Sequence, residues 1–187
     1  PIAATLEEAD RILGAAEANG VLVATGHVER FNGAVRACEP YVDAPRFIES
    51  HRLAPFNPRG TDVAVVLDLM IHDIDLILSL VQKPVRDVDA VGLAVLTPNV
   101  DISNARVWFE EGAVANITAS RISRERMRKV RFFQPSGYVS LDLAAGTGEF
   151  LRLRPGVTLA ALQSLEGGLE GAVERITFAG DGKEPLL

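Results

Sequence analysis

The sequence predicts an α+β fold in which one long helix packs on an open, mostly antiparallel sheet, preceded by a single αβ unit. After about residue 45, apolar residues largely alternate with polar ones, which is typical of strands with one covered face. One long apolar stretch, at about 62–80, has the composition of a buried helix. A capped helix and a short apolar run come first. With 187 residues, 48% of them hydrophobic, the chain can bury one core and part of a second.

The first element is a helix with clear signals at both ends. Thr5 and Glu8 have the spacing of a capping box, and Asn19-Gly20 supplies a stop. The apolar run at 21–24 follows directly and is predicted to be a parallel strand buried on both faces. Because one αβ unit cannot form a doubly wound sheet alone, we expect the neighbouring strands either upstream of this sequence or in a partner.

Several stretches with period-two alternation are predicted to be strands. The clearest is 138–144, where every second residue is apolar on one face. Glu110-Glu111-Gly112 is predicted to be a hairpin turn, and the glycine-containing stretch 155–171 a long loop. The strands are predicted at 46–54, 86–97, 102–110, 113–121, 128–134, 138–144 and 173–179.

Composition excludes several classes of protein. The net charge of −6 argues against a nucleic-acid-binding protein, and there is no stretch of about 18 uncharged apolar residues to span a membrane. The single cysteine, Cys38, rules out an internal disulfide and a cysteine metal cluster. Because free cysteine suits a reducing compartment, we expect a cytoplasmic protein that binds neither nucleic acid nor membrane.

The long helix carries the polar residues that point to chemistry. Asp68, His72 and Asp75 follow one another at spacings of four and three, which places them on one stripe. The rest of the helix is apolar nearly all round, so these side chains must pair, contact water or face a cleft. In a functional interpretation His72 is a general base, and a carboxylate one turn away orients its ring and favours its charged form.

The spacing alone leaves two other interpretations open. The aspartates and the histidine could instead cap the helix and bond to a neighbouring loop, because such pairs occur on ordinary helices. A zinc or iron site would join His72 to His27 and His51, with Asp68 or Asp75 as a further ligand. The three histidines lie on three different elements and His-Glu-x-x-His is absent, so no metal site is predicted.

Three segments make the chain similar to a known family. Residues 26–32 read Gly-His-Val-Glu-Arg-Phe-Asn, residues 68–75 read Asp-Leu-Met-Ile-His-Asp-Ile-Asp, and Pro1 stands shortly before the first helix. These segments resemble motifs of the Gfo/Idh/MocA oxidoreductases. Residues 26–32 resemble the crossover with an Arg-Phe pair after the last Rossmann strand, and residues 68–75 resemble the Asp-x-Gly-x-His-x-x-Asp helix. Pro1 resembles the last residue of the Glu-Lys-Pro motif. Further matches fall at Ser120-Arg121, at Arg131 and at 137–142.

The resemblance implies an NAD(P)-binding Rossmann domain followed by an α/β domain with an open sheet. Residues 1–30 would be the C-terminal remnant of the first domain, and residues 31–187 the substrate and oligomerisation domain. His72 becomes the catalytic base and Asp68 its acidic partner. Three residues approach the junction of cofactor and substrate: His27, Arg30 and Phe31. Three more would contact or support the substrate: Arg52, Asp75 and Arg121.

Residues 47–56, together with the crossover, are similar to the UDP-N-acetylglucosamine 3-dehydrogenase type within the family. This implies that NAD or NADP oxidises a sugar or nucleotide-sugar hydroxyl, with Arg59 and Arg124 as further cations for a diphosphate. The dinucleotide-binding motif Gly-x-Gly-x-x-Gly is absent from the sequence, so the cofactor should be bound mainly by residues outside this chain. The isolated chain should therefore be inactive. Met70 stands where the family often has glycine. The open sheet face implies a homo-oligomer; alternatively, assembly through that face is the only role of the chain.

Overall fold

The computed structural model describes residues 2–157 and 171–180. Pro1 and most of the loop predicted at 155–171 lie outside the described residues. The helices are α1, Leu6–Ala18; α2, Gly33–Cys38; and α3, Ile71–Val81. The strands are β1, Phe47–Leu53; β2, Val85–Leu93; β3, Ile102–Phe109; β4, Val114–Ser120; β5, Met127–Gln134; β6, Gly137–Asp142; β7, Thr147–Leu153; and β8, Val173–Ala179. Within the described part of the chain, no helix is long and apolar enough to cross a membrane.

All eight strands form one sheet, in the order β2-β3-β4-β1-β5-β6-β7-β8. The central pair β1–β4 is parallel and the other six pairs are antiparallel. Helices α2 and α3 pack on one face, where apolar residues such as Val139 and Leu141 of β6 are fully buried. The opposite face is open. This arrangement confirms the predicted fold class, an open and mostly antiparallel sheet with a packed helix.

Two elements, α2 and β7, are not predicted by the sequence patterns. The glycines of Gly146-Thr147-Gly148 predict a turn, and Gly146 does lie in one, with φ +65°. Thr147, however, already pairs with β6 and β8. Gly148 is itself a strand residue. Glycine fits there because an added Cβ would lie 2.4 Å from the Phe178 ring, so it marks close packing rather than a turn. Helix α2 has only six residues, which is too short for a periodicity signal.

The strand predicted at 21–24 stays a prediction, because the neighbouring strands that it requires are expected outside this chain. The segment has no strand conformation and pairs with none of the eight described strands, and Leu22 is 93% exposed. A strand needs neighbours to take up its backbone hydrogen bonds, and an apolar run alone does not supply them. The helix before it is confirmed in detail, since Thr5 and Glu8 form the reciprocal hydrogen bonds of a capping box.

The long helix begins later than the predicted residue 62. Its first turn is a π-helix at Val66–Met70, which continues into α3. Residues 62–64 form no helical turn, because this segment bonds to the loop before β3 instead; the Val65 N–H donates to the Val100 carbonyl over 2.8 Å. A long-range contact therefore decides where the helix starts. π-Turns are frequent at functional sites.

Asp101 organises the loop that precedes β3. Its buried carboxylate accepts four hydrogen bonds, from the backbone N–H groups of Val95, Leu96 and Thr97 and from the Thr97 hydroxyl. Burial opposes ionisation, but these bonds outweigh it and hold the pKa of Asp101 well below its usual range. The ionised carboxylate therefore stabilises the loop against which the long helix starts.

Asp101→Asn should lower the melting temperature at neutral pH, because an amide oxygen replaces a charged acceptor. An aspartate in the unfolded chain titrates near pH 3.9, and folded Asp101 titrates lower. Its contribution is thus complete above about pH 5 and is lost as the pH falls toward the folded value. The difference in melting temperature between the two proteins should begin to narrow as the pH falls below about 5 and should keep narrowing below about pH 3, whereas the exposed control Asp10→Asn should track the unsubstituted chain throughout. A constant difference for Asp101→Asn would contradict the assignment.

Candidate active site

The parallel pairing of β1 and β4 brings two arginines to one edge of the sheet. Parallel neighbours have their carboxyl ends at the same edge, and Leu53 of β1 lies opposite Ser120 of β4. Arg52 points to the covered face just before that edge, and Arg121 follows β4 directly. Both side chains are buried, and the π-turn at Val66–Met70 packs against β4.

Arg52 is the centre of a buried ion cluster. Its Nε and Nη2 donate to the two carboxylate oxygens of Asp73, both over 2.9 Å, and Nη2 also donates to Glu29 over 3.0 Å. Arg52 is 4% exposed and Asp73 is 1% exposed, so these ions are paired inside the protein, as burial requires. The family resemblance implies a substrate contact for Arg52, which stays a prediction; the guanidinium itself bonds to the protein.

A second ion pair joins the same regions of the chain. Arg30 donates through Nε and Nη2 to both oxygens of Asp75, and the Nε bond is 2.6 Å long. Glu29 and Arg30 are consecutive in the 3-10 turn Val28–Phe31, while Asp73 and Asp75 lie on α3. Bidentate arginine–carboxylate pairs fix geometry as well as adding energy. The turn is therefore clamped to α3 both directly and through β1.

His27 and His72 lie beside these bridges and face each other. Their ring centroids are 5.9 Å apart and the ring planes cross at 74°. The Nδ1 atom of each ring is buried and has no hydrogen-bond partner among the residues that the structure describes. An unsatisfied buried polar atom costs about 1–3 kcal/mol, so each Nδ1 atom calls for a partner such as a water molecule, a ligand or a substrate. The pair therefore marks the candidate active site.

The pKa of His72 is set by competing influences. Burial lowers the pKa of His72, and the positive charge of Arg52 lowers it further. The carboxylates of Glu29 and Asp73 oppose this shift without reversing it. Neighbouring carboxylates thus favour the charged ring, but burial and Arg52 outweigh them. His72 is neutral at neutral pH and can accept a proton.

Asp68, the predicted acidic partner of His72, approaches a different residue. Its carboxylate is 33% exposed and lies 3.9 Å from Nη2 of Arg121. Arg121 donates to the Gly60 and Val63 carbonyls, both over 2.8 Å. Gly60 has φ +79°, and an added Cβ would lie 3.0 Å from the Asp68 carboxylate, so glycine leaves room for the acid. Arg121 thus supports the loop before the helix, and Asp68 is the acid that this loop leaves accessible.

The match to known proteins covers this whole cluster of residues. A family model described as the GFO/IDH/MocA C-terminal domain matches residues 25–139, which include both histidines and every ion pair described above. The chain belongs to the Gfo/Idh/MocA family. The segments at 26–32 and 68–75, on which the resemblance was built, both fall within the matched residues.

Relatives within the Gfo/Idh/MocA family include a nucleotide-sugar enzyme. UDP-N-acetylglucosamine 3-dehydrogenase of Acidithiobacillus ferrooxidans is 40% identical over 148 residues, which cover 79% of the chain and 47% of that protein. A solved structure of it has a TM-score of 0.81 at 33% identity, covering 100% of this chain and 56% of that one. An inositol dehydrogenase homologue from Azotobacter vinelandii, complexed with NADH and myo-inositol, shares the fold, with a TM-score of 0.72, 14% identity and coverage of 92% and 46%. The chain spans about half the length of these relatives.

The other residues singled out in this Gfo/Idh/MocA domain are placed as follows. Phe31 is 61% exposed, and Arg59 and Arg124 are exposed as well. Met70, at the position where the family often has glycine, is buried in the core.

No cluster of three or more metal-ligating side chains occurs among residues 2–157 and 171–180. Burial raises the pKa of the Cys38 thiol to about 12, which leaves it protonated and unreactive.

Two carboxylates of the candidate site, Glu29 and Asp73, are not singled out by spacing. A usable signal lies in β1, where Arg52 alternates in phase with Ile48 and Ser50 and must point to the covered face. A buried arginine requires carboxylate partners. The alternation therefore predicts that acids surround Arg52, although it does not say which ones.

Proposed function

We propose that the chain is the substrate-side part of an NAD(P)-dependent dehydrogenase that oxidises a hydroxyl carbon of a nucleotide sugar, with His72 as general base. The observation that carries the proposal is the His27–His72 pair, two imidazoles with buried and unpartnered Nδ1 atoms. The nucleotide-sugar substrate is supported by the 40% identity to a UDP-N-acetylglucosamine 3-dehydrogenase.

The proton chemistry follows from the state of His72. Oxidation of a hydroxyl carbon removes a hydride from carbon and a proton from oxygen, and it leaves a ketone. Because its pKa lies below the ordinary value, neutral His72 can take that proton on its unprotonated ring nitrogen. Asp68, partly exposed beside Arg121, can accept a hydrogen bond from a sugar hydroxyl and so orient the reacting carbon.

The residues around the pair fit the nicotinamide end of a cofactor. NAD or NADP, when bound, accepts the hydride. Phe31 offers an exposed aromatic face and Arg30 a half-exposed guanidinium, so these two and His27 would hold the nicotinamide end. The sequence has no Gly-x-Gly-x-x-Gly turn for the diphosphate, so the main nucleotide contacts belong to residues outside this chain.

The isolated chain should bind NADH weakly or not at all. Titration of the purified chain, followed by nicotinamide fluorescence, should show no saturation in the micromolar range, because the residues that cradle the diphosphate are absent from it. A protein that joins this chain to a nucleotide-binding domain serves as the positive control. Micromolar binding by the isolated chain would contradict the assignment.

The substrate class is tested in that joined protein. Reduction of NAD and NADP is followed with UDP-N-acetylglucosamine, free N-acetylglucosamine and myo-inositol as substrates. We expect the nucleotide sugar to be oxidised with the highest kcat/KM, since the diphosphate and nucleoside add binding energy that the free sugars lack. Equal kcat/KM values for the free sugars would contradict recognition of the nucleotide part.

The open sheet face supports a role in assembly as well. The rings of Phe47, Phe133 and Tyr138 contact one another there, with centroids 5.7 and 4.9 Å apart. Phe133 is exposed and the other two rings are half-buried, and aromatic side chains are enriched at interfaces. We expect the chain to sediment as a homo-oligomer that Phe133→Glu weakens, and a clean monomer would rule out association through this face. If the joined protein proves inactive, assembly remains as the only role.

A further inference from the structure

We propose that the buried cluster of Glu29, Arg52 and Asp73 is a positioning device that holds the segments of His27 and His72 together and surrounds His72 with charges of both signs. The inference rests on the proposed function only because that function makes His72 the base, so that its position and protonation state affect the reaction. The contacts themselves lie within this chain.

The cluster joins the parts of the chain that carry the two histidines. Glu29 lies two residues after His27, and Asp73 directly follows His72. Arg52 bonds to both carboxylates at once, from the inward face of β1. The segments carrying the histidines therefore cannot separate without leaving a charge buried and unpaired, which is strongly unfavourable.

Charges of both signs reach His72 from three elements. They come from Arg52 of β1, from Glu29 and His27 at the 3-10 turn, and from Asp73 on its own helix. Arg128 of β5 approaches Glu29 to 3.9 Å from the far side. The guanidinium disfavours a second positive charge on His72, whereas the two carboxylates favour it. The state of the imidazole is thus set by a balance within the cluster.

A purely structural cluster would respond differently when it is altered. Loosened packing lets water reach the imidazole, which raises its pKa toward the value of an exposed histidine whichever partner is removed. The positioning device responds according to charge. Loss of a carboxylate makes His72 harder to protonate, and loss of the guanidinium makes it easier to protonate.

The test is an NMR titration of the histidine rings in the 187-residue chain, without cofactor or substrate. The three histidines give three imidazole signals, which His27→Asn and His51→Asn assign. We expect Asp73→Asn and Glu29→Gln each to shift the titration of His72 to lower pH, and Arg52→Met to shift it to higher pH. The His51 signal is the internal control, because His51 lies on the opposite face of β1.

Asp75→Asn is the matched control on the same helix. It breaks the bidentate pair with Arg30 and leaves Arg52, Glu29 and Asp73 unchanged, so the titration of His72 should move less than in any of the three cluster variants. Upward shifts or no shifts in Asp73→Asn and Glu29→Gln would overturn the inference, and either variant suffices if the other fails to fold. Because no catalysis is measured, this failure is distinguishable from failure of the proposed function.

Discussion

Replacing His72 by glutamine should lower kcat by about 100- to 10,000-fold in a protein that joins this chain to a nucleotide-binding domain. Glutamine approximates the size of histidine but has no basic nitrogen, so the hydroxyl proton loses its acceptor in the transition state. The KM for the sugar should change little, since Asp68 and Arg121 remain in place. The rate of nicotinamide reduction at saturating substrate measures the effect.

The pH dependence of the same protein separates loss of the base from loss of the fold. Because the pKa of His72 lies below its ordinary value, kcat/KM should fall only as the pH drops below about 6.5. This acidic limb should vanish in His72→Gln. The control His51→Gln, on the open face of β1, should keep both kcat and the limb. A His72→Gln variant that retains the limb would assign the base to another residue.

Asp73→Ala should reduce the free energy of unfolding by about 3–5 kcal/mol. The substitution leaves the Arg52 guanidinium buried with Glu29 as its remaining carboxylate partner within hydrogen-bond distance. Two of the three hydrogen bonds that Arg52 donates are lost, and the cost is mainly that of a buried charge with too little compensation. Urea unfolding of the isolated chain measures it, as a lower midpoint at an unchanged slope.

The matched control for Asp73→Ala is a surface ion pair of similar length. Lys83 donates to Glu111 over 2.8 Å, but the two side chains are 42% and 67% exposed. Water screens such pairs, so Lys83→Met should cost at most about 1 kcal/mol. If both variants unfold at the same urea concentration, burial adds nothing to the Arg52 cluster and its structural importance is contradicted.

The parts of the fold that local signals determine are predictable from the sequence. The capping box of α1 and the period-two strands depend on neighbouring residues, and both are confirmed. The run at 21–24 has the composition of a buried strand, but composition does not supply the neighbours that a strand needs. The helix start depends on the Val65–Val100 bond, and β7 depends on Phe178 packing over Gly148. These contacts are long-range, so no local pattern reveals them.

Only part of the candidate site is predictable from the sequence. His72 stands out in the sequence because it interrupts an apolar helix. The sequence does not show in which direction the pKa of His72 is shifted. That direction is set by burial and by Arg52, which lies 20 residues earlier on another element. Only the parallel pairing of β1 with β4 places Arg52 and Arg121 at one edge. Alternation shows that Arg52 faces inward, but the choice of Asp73 and Glu29 as partners requires the tertiary structure.

The most direct test of the proposed dehydrogenase follows an isotope. UDP-N-acetylglucosamine carrying deuterium at C3 of the sugar is supplied with oxidised nicotinamide cofactor to the joined protein, and mass spectrometry measures deuterium in the reduced cofactor. We expect the unsubstituted protein to transfer the deuterium, and His72→Gln to transfer it at least about 100-fold more slowly. Reduced cofactor without deuterium would contradict oxidation at C3 of this nucleotide sugar, and equal rates of transfer by the two proteins would contradict His72 as the base.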